Sequence, residues 1–146
     1  MSKHVLAVFA YVVASFVTQA ISHFAINREH YAAVTYMRHD PIFAFGILSM
    51  LIQGAALTFL YSRTRTAGRS IGDALRFAWI AGSILVSYIA LAEAAKYPVP
   101  SIGSWLTVEI AAGFAQFTLY GALLGLIYTR QWATSEREER LSPAQS

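Results

Sequence analysis

Apolar residues fill four long blocks of the chain, and short polar segments separate the blocks. They cover residues 5–25, 41–61, 74–95 and 102–128, and each holds at most two charged side chains. About 20 consecutive apolar residues are enough for a helix to cross the ~30 Å hydrocarbon core of a bilayer. The pattern therefore predicts an all-α, four-transmembrane-helix bundle, and we number the predicted helices span one to span four in chain order.

Helix-start signals precede two of the four blocks. Asp40 is a predicted N-cap for span two, with Pro41 in the first turn. Residues 98–101 (PVPS) break the chain after span three, and Ser101 is a predicted cap for span four.

The second half of the chain repeats the first. Residues 9–15 (FAYVVAS) return as 77–83 (FAWIAGS), and residues 54–63 return as 121–130 with five identities in ten positions. The offsets, 68 and 67 residues, are nearly equal, which predicts two tandem, parallel two-helix repeats related by an axis along the membrane normal. The predicted single membrane domain covers residues 1–146, with repeats at about 5–63 and 74–130 and a charged cytoplasmic tail at 133–146.

Basic residues are distributed unevenly between the two ends of the predicted spans. Because cytoplasmic loops are enriched in Lys and Arg, the excess predicts an inner-membrane protein with both termini in the cytoplasm. One end carries Lys3, Arg63, Arg65, Arg69, Arg76, Arg130, Arg137 and Arg140, and the other carries Arg28, Arg38 and Lys96.

Aromatic residues near the ends of the spans predict belts at the two membrane interfaces. We expect Tyr61, Tyr128 and Trp132 at the inner interface and Trp105 near the outer one.

The composition is typical of a membrane protein and argues against nucleic-acid binding and cysteine chemistry. The chain is 56% hydrophobic and 13% charged, whereas soluble domains carry about 25% charged residues. The net charge of +3 lies at the ends of apolar blocks, where lipid headgroups account for it, so we expect no nucleic-acid partner. The absence of cysteine excludes disulfides, thiolate catalysis and cysteine-based zinc sites.

Each span has a polar side, and in hydrocarbon these sides should face one another. At about 1.5 Å per residue, Glu109 and Gln19 lie ~10 Å from the outer boundary. Gln53 and Gln116 lie nearer the middle. Together with His23 and Glu93, which lie nearer the outer surface, these residues are the candidate ligand-binding or coupling residues of an outward-facing polar recess with Glu109 at its floor.

Glu109 is the most unusual of these residues. A carboxylate at this depth costs ~2.5–3.5 kcal/mol or more unless it is protonated, paired or hydrated. One interpretation is a proton- or cation-coupled site or a general acid/base; the other is a carboxyl that stabilises the bundle by hydrogen bonds to Gln19, Gln53 or Ser22. Glu93 has a simpler interpretation as a solvated helix end, and His23 as a packing residue.

The segment 28–40 between spans one and two contains histidines and carboxylates, which suit zinc, copper or nickel. Its histidines lack the i, i+4 spacing that presents two ligands on one helical face, so we expect no metal and no other cofactor. Tyr31, Val34 or Thr35, and Arg38 instead share a face of a predicted short amphipathic helix, a lid over the recess. The candidates in this segment are His30, Tyr31, Arg38, His39 and Asp40.

Small residues four positions apart allow close helix contact in lipid. Gly121 and Gly125 form a GxxxG motif, and Ala78–Gly82 and Ala10–Ala14 are weaker versions. The motif fits either contacts inside one chain or a homodimer.

Several short signals together resemble a group of small four-helix bacterial inner-membrane proteins of unassigned function. The signals are His23, Tyr31, Met37-Arg38, Thr58-x-x-Tyr61 and Arg76-Phe77. Glu93 and Glu109 are not part of the pattern of that group. The resemblance implies the architecture and no activity or catalytic residue.

The leading functional hypothesis is a homo-oligomeric, multi-pass protein that binds a small or lipidic ligand in the polar recess. A first alternative is a small proton-coupled transporter subunit with Glu109 as the coupling residue, because small dimeric exporters also use few helices and one membrane carboxylate. A membrane enzyme or metal protein using His23 and the outer-loop histidines, and a structural subunit of a larger complex, are further alternatives. No catalytic residue is predicted, and an enzymatic role is not favoured.

Overall fold

The computed structural model describes residues 2–36, 38, 40–64 and 66–141, with side chains described as far as Thr129. Within this part of the chain every regular element is helical, and four helices are long and apolar enough to cross a membrane. They are Lys3–Ile26, Phe43–Ser62, Ile71–Lys96 and Ile102–Thr129. The predicted spans are confirmed, and by helix length and hydropathy the chain is a multi-pass membrane protein.

Spans one and three both change from α-helical to π-helical geometry towards their ends. Such single turns are rare and frequently mark functional sites. Span four continues as a helix beyond its apolar part, into the predicted charged tail. The bounds are Lys3–Ile21 and Ser22–Ile26 in span one, Arg28–Ala32 in the connection, Phe43–Ser62 in span two, Ile71–Ser87, Tyr88–Ala92 and Glu93–Lys96 in span three, and Ile102–Leu141 in span four.

The two predicted helix starts have different outcomes. The Ser101 hydroxyl accepts a hydrogen bond from the Ser104 amide at 3.4 Å, which confirms the predicted cap. Span two begins at Phe43, and Ile42, rather than Asp40, occupies its N-cap position. Ile42 has a non-helical ψ of 85°, and the Phe43 amide bonds to the Pro41 carbonyl in a tight turn, so the helix starts too late for Asp40 to cap it. The predicted Asp40 cap is wrong.

The four spans pack in the order two, one, four, three. Span four lies between spans one and three, and span two packs mainly on span one. Span two is the least buried of the four. The interior is therefore formed chiefly where spans one, three and four meet.

Glycines set the close contact of spans three and four. A Cβ atom on Gly125 would lie 2.8 Å from the Ile71 Cα, and one on Gly121 would lie 3.0 Å from the Leu75 Cα. These distances leave no room for a side chain, because the opposing atoms are backbone. The GxxxG motif is thus used inside one chain.

Buried tyrosines fill the half of the bundle that holds the N-terminus of span one, residues 63–64 and 66–70, and Thr129. We call this half the termini end. The rings of Tyr61 and Tyr128 are 4.9 Å apart and nearly perpendicular, and those of Tyr11 and Tyr120 are 5.0 Å apart. The opposite end, which holds residues 27–36, 38, 40–42 and 97–101, we call the Tyr31 end.

Three of the aromatic residues predicted as interfacial belts, Tyr61, Tyr128 and Trp105, are instead turned inwards. The side chain of the fourth, Trp132, lies outside the described residues. Tyr61 and Trp105 are 0% and 2% exposed, and Tyr128 is also buried. Each has a polar partner inside the chain: the Tyr61 hydroxyl accepts from the Gly68 amide, the Tyr128 hydroxyl lies 3.1 Å from His4 Nδ1, and the Trp105 indole donates to the Ile89 carbonyl. A buried tyrosine or tryptophan with such a partner does not need the headgroup region.

Candidate functional site

The chain reverses direction directly after span one and thereby places Tyr31 over the bundle. At the end of the π-helical turn, the backbone nitrogen of Asn27 donates to the Ser22 carbonyl at 2.8 Å. The side-chain nitrogen Nδ2 of Asn27 donates to Ser22 Oγ at 3.0 Å. The helix Arg28–Ala32 follows, and Tyr31 and Val34 turn inwards with 8% and 4% exposure.

The predicted interfacial helix is shorter than expected. Residues 33, 35 and 36 form turns rather than a continuation towards Arg38, and Met37 and His39 lie outside the described residues. Insertion of Tyr31 and Val34 into the protein holds the segment in place, so it does not need an amphipathic surface helix.

Tyr31 is bound to Glu109 of span four. The Tyr31 hydroxyl donates a hydrogen bond to Glu109 Oε1 at 2.8 Å, and both residues are 8% exposed. Burial raises the pKa of Tyr31, and the Glu109 carboxyl acts in the same direction, while the Ser22 hydroxyl opposes them. Tyr31 therefore remains a neutral donor across the physiological pH range.

His23 supports the Tyr31 ring rather than pairing with Glu109. The two rings are stacked, with centroids 3.6 Å apart and 9° between their planes. His23 Nδ1 lies 3.1 Å from the Gln19 carbonyl oxygen. Within the described part of the chain, no ion pair joins Glu109 to His23.

A chain of hydrogen bonds joins spans one, four and two below Glu109, so their polar sides face one another as expected. Gln19 Nε2 donates to Gln116 Oε1 at 3.0 Å, and Gln116 Nε2 donates to Ser15 Oγ at 2.9 Å. Tyr11 accepts from Gln116 at 3.4 Å and donates to Gln53 Oε1. The predicted partners of Glu109, namely Gln19, Gln53 and Ser22, are thus engaged elsewhere.

A cavity of about 60 Å³ lies between this network and Glu109. Organic ligands occupy pockets of about 300–1,000 Å³, whereas a water molecule needs far less space. The cavity therefore has room for a few waters and is too small for an organic ligand in this conformation. Four of the predicted binding residues line it: Gln19, Gln53, Glu109 and Gln116.

A second, larger space lies between spans one and four at the Tyr31 end, and we call it the Ser22 groove. Its volume is about 520 Å³. Ser22, Asn27 and Thr107 give it a polar end, and the rest of its lining is mainly apolar. Ser22 connects it to the site, because Ser22 Oγ lies 3.5 Å from the Tyr31 hydroxyl.

The remaining predicted residues lie apart from Glu109. Glu93 is half-buried at the end of span three and does not line the cavity. His30 Nδ1 lies 3.1 Å from Ser104 Oγ, and its ring meets the edge of Tyr31. Arg38 and Asp40 are exposed. Among the described residues no three His, Asp or Glu side chains come together as metal ligands.

The sequence did not lead us to predict a polar role for Tyr11, although the spacing of residues in span one indicates it. It precedes Ser15 and Gln19 at intervals of four residues, which places all three on one face of span one. An aromatic residue in an apolar block is ordinarily assigned to packing, and only the hydroxyl contacts with Gln53 and Gln116 reveal its polar role.

Comparison with protein-family models, with curated proteins and with solved structures gives no match for this chain, so no family is identified.

Proposed function

We propose that this multi-pass membrane protein binds a small amphipathic ligand at the Tyr31 end. The polar group of the ligand occupies the position beside Glu109, and its apolar part lies in the Ser22 groove. The observation that carries the proposal is the bond from the Tyr31 hydroxyl to the buried Glu109 carboxyl, next to a groove of ligand size.

The donors and acceptors around Glu109 define the chemistry of the ligand. Within the described residues, the side-chain hydrogen bond to Glu109 comes from Tyr31, and no cationic side chain lies within 4 Å of it. A carboxyl in this setting favours an amine or another hydrogen-bond donor. Because the cavity beside Glu109 is small, Tyr31 has to move before such a group can enter.

A saturable-binding experiment tests this proposal. Purified protein is titrated with decylammonium, and decanol, which has the same tail without the charge, is the reference probe. We expect decylammonium to bind more tightly than decanol and Glu109→Gln to weaken its binding at least about tenfold. Glu93→Gln removes a carboxyl outside the cavity and should leave binding unchanged. Equal binding by wild type and Glu109→Gln would contradict the proposal.

Proton coupling is a second candidate function. It is favoured by the cavity, which has room for water beside Glu109 and beneath the Tyr31 hydroxyl. Ionisable groups inside membrane bundles often serve as proton relays. Glu109→Gln should abolish proton-linked flux in reconstituted vesicles, and unchanged flux in that variant would exclude Glu109 as the coupling residue.

We also propose that the chain is a tandem duplication with both termini in the cytoplasm of an inner-membrane protein. Equivalent features of spans one and three support the duplication: Ser2 and Ser70 both cap helix starts, 68 residues apart, and the π-helical turns begin at Ser22 and Tyr88, 66 residues apart. The chain has no cysteine, so single-cysteine variants report orientation directly. An impermeant maleimide added to intact cells should label Val99→Cys and spare Ser70→Cys, and the reverse pattern would overturn the orientation.

A homo-oligomer formed through span two completes the proposed architecture. Ser49 is exposed and Gln53 partly exposed on this least buried span, and polar side chains are costly against lipid. Gln53 Nε2 donates to Ser49 Oγ at 2.9 Å, and a second copy facing this pair would shield it from lipid. Ser49→Cys should form a disulfide-linked dimer under mild oxidation, whereas Ile80→Cys, on the exposed side of span three, should not. Failure of Ser49→Cys to cross-link would remove this interface.

A further inference from the structure

A third space, distinct from the Glu109 site, lies between spans one and two at the termini end. We call it the Arg63 groove, and its volume is about 800 Å³. Val8, Val12, Leu51 and Ala55 are among the apolar residues along its length, and His4 and Arg63 belong to its lining at the end of the spans.

The groove has the length of one membrane leaflet. Its lining on span two extends from Leu51 to Arg63, which is about 18 Å at 1.5 Å per residue. One leaflet contributes about 15 Å of the ~30 Å hydrocarbon core. A single acyl chain entering from the termini end therefore matches the groove along its whole length.

The charge at the end of the groove is basic. The Arg63 guanidinium lies over the Phe59 ring, 4.9 Å from its centroid, and the described residues provide no carboxylate within 4 Å of Arg63. The groove lining contains no Asp or Glu. Guanidinium groups bind phosphate through paired hydrogen bonds, so this end is complementary to a phosphate.

His4 lines the same end of the groove and carries a second potential donor. Its Nδ1 lies 3.1 Å from the Tyr128 hydroxyl, and its ring meets Tyr128 edge-on. When Tyr128 donates to Nδ1, the proton of the imidazole is on Nε2, which is then a donor for an oxygen ligand. Lys3 lies nearby, with Nζ 5.3 Å from the centroid of the Tyr128 ring.

From this arrangement we infer that the Arg63 groove binds an anionic phospholipid. One acyl chain lies between spans one and two, and the phosphate is bound by Arg63 with His4 beside it. The lipid fills the space that span two leaves against span one and stabilises their contact in this leaflet. This site is independent of Glu109.

Native mass spectrometry of the full chain tests the lipid site. Phosphatidylglycerol and phosphatidylcholine with identical acyl chains are added to delipidated protein in detergent. We expect phosphatidylglycerol to be retained preferentially and Arg63→Gln to lower its retention about fivefold, since a basic residue near an anionic headgroup contributes on this scale. Equal retention of the two lipids would overturn the inference.

Two controls distinguish a specific lipid site from nonspecific attraction of lipid by surface charge. Arg76→Gln changes an arginine at the same end that is exposed and faces Asp73 at 3.7 Å, and it should leave retention unchanged. Ala55→Phe fills the groove and should lower retention of both lipids. Equal losses from Arg63→Gln and Arg76→Gln, or full retention by Ala55→Phe, would contradict the site.

A competition arm distinguishes a lipid from a free phosphate ion. Inorganic phosphate should not displace phosphatidylglycerol, because the acyl chain supplies most of the contact. Displacement by inorganic phosphate would mean that the basic end binds the ion alone and that the groove is not a lipid site.

Discussion

At the scale of single residues, Tyr31 determines the environment of Glu109. It comes from a connecting segment, yet its hydroxyl provides the hydrogen bond to a carboxyl buried in span four. Its ring is held by stacking on His23. Removing the hydroxyl alone therefore changes the polar contact and leaves the ring packing in place.

We predict that Tyr31→Phe lowers the free energy of unfolding by about 1–3 kcal/mol, because a buried acceptor loses its donor. Thermal unfolding in detergent measures the change. Tyr36→Phe is the control, since Tyr36 lies in the same segment, is 39% exposed and stacks on Tyr97. Equal stability of the two variants would mean that the Tyr31–Glu109 bond contributes nothing to the fold.

Sequence reasoning identified Glu109 but not its partner, for a physical reason. A single carboxyl in an apolar block is visible at once, because its cost in hydrocarbon does not depend on the fold. The partner lies 78 positions away, and its placement depends on how the connection folds back after Asn27. That reversal follows from hydrogen bonds to Ser22, which hydrophobic patterning does not reveal.

At the scale of helices, glycines fix the distance between spans three and four. Gly125 faces the backbone of Ile71, which cannot yield to an added methyl group. A Cβ atom added to Gly46 in span two would have no other atom within 4 Å. Alanine substitutions at the two glycines therefore distinguish the effect of close helix packing from the effect of helix propensity.

We predict that Gly125→Ala lowers the free energy of unfolding by about 1–3 kcal/mol, because overpacking forces the helices apart. Gly46→Ala should leave it unchanged or raise it by up to about 1 kcal/mol, since alanine favours the helix. Unfolding in mixed micelles compares the two. A Gly125→Ala protein as stable as Gly46→Ala would show that spans three and four are not in this close contact.

The spans themselves were predictable within a few residues, because length and hydropathy dictate them. The π-helical turns at Ser22–Ile26 and Tyr88–Ala92 were not. A π-helical turn preserves the apolar character of the block and changes only which residues face inwards. The Trp105 contact with the Ile89 carbonyl, inside the second π-helical turn, shows why the outer aromatic belt was placed wrongly.

At the scale of the whole molecule, the bundle is divided into two unlike halves. The Tyr31 end contains Glu109, the small cavity and the Ser22 groove. At the termini end, tyrosine rings fill the interior, and the Arg63 groove lies outside it, between spans one and two. The packed half closes the interior from the termini end. Access to Glu109 is therefore expected from the Tyr31 end alone.

Maleimide labelling of single-cysteine variants tests this division. Ser22 and Ala74 are both buried, but Ser22 lies beside Tyr31 and Ala74 lies in the packed interior of the termini end. We predict that Tyr31→Ala accelerates labelling of Ser22→Cys and leaves Ala74→Cys unlabelled. Acceleration at both positions would mean that the whole bundle loosens and that Tyr31 is not a local lid.

Infrared difference spectroscopy tests the central claim most directly, because it detects the Glu109 carboxyl itself. Addition of decylammonium to the purified protein should change a carboxyl band that Glu93→Gln retains and Glu109→Gln lacks. The same band in Glu109→Gln, or no carboxyl change on saturable binding to the wild type, would contradict a ligand site at Glu109 beneath Tyr31.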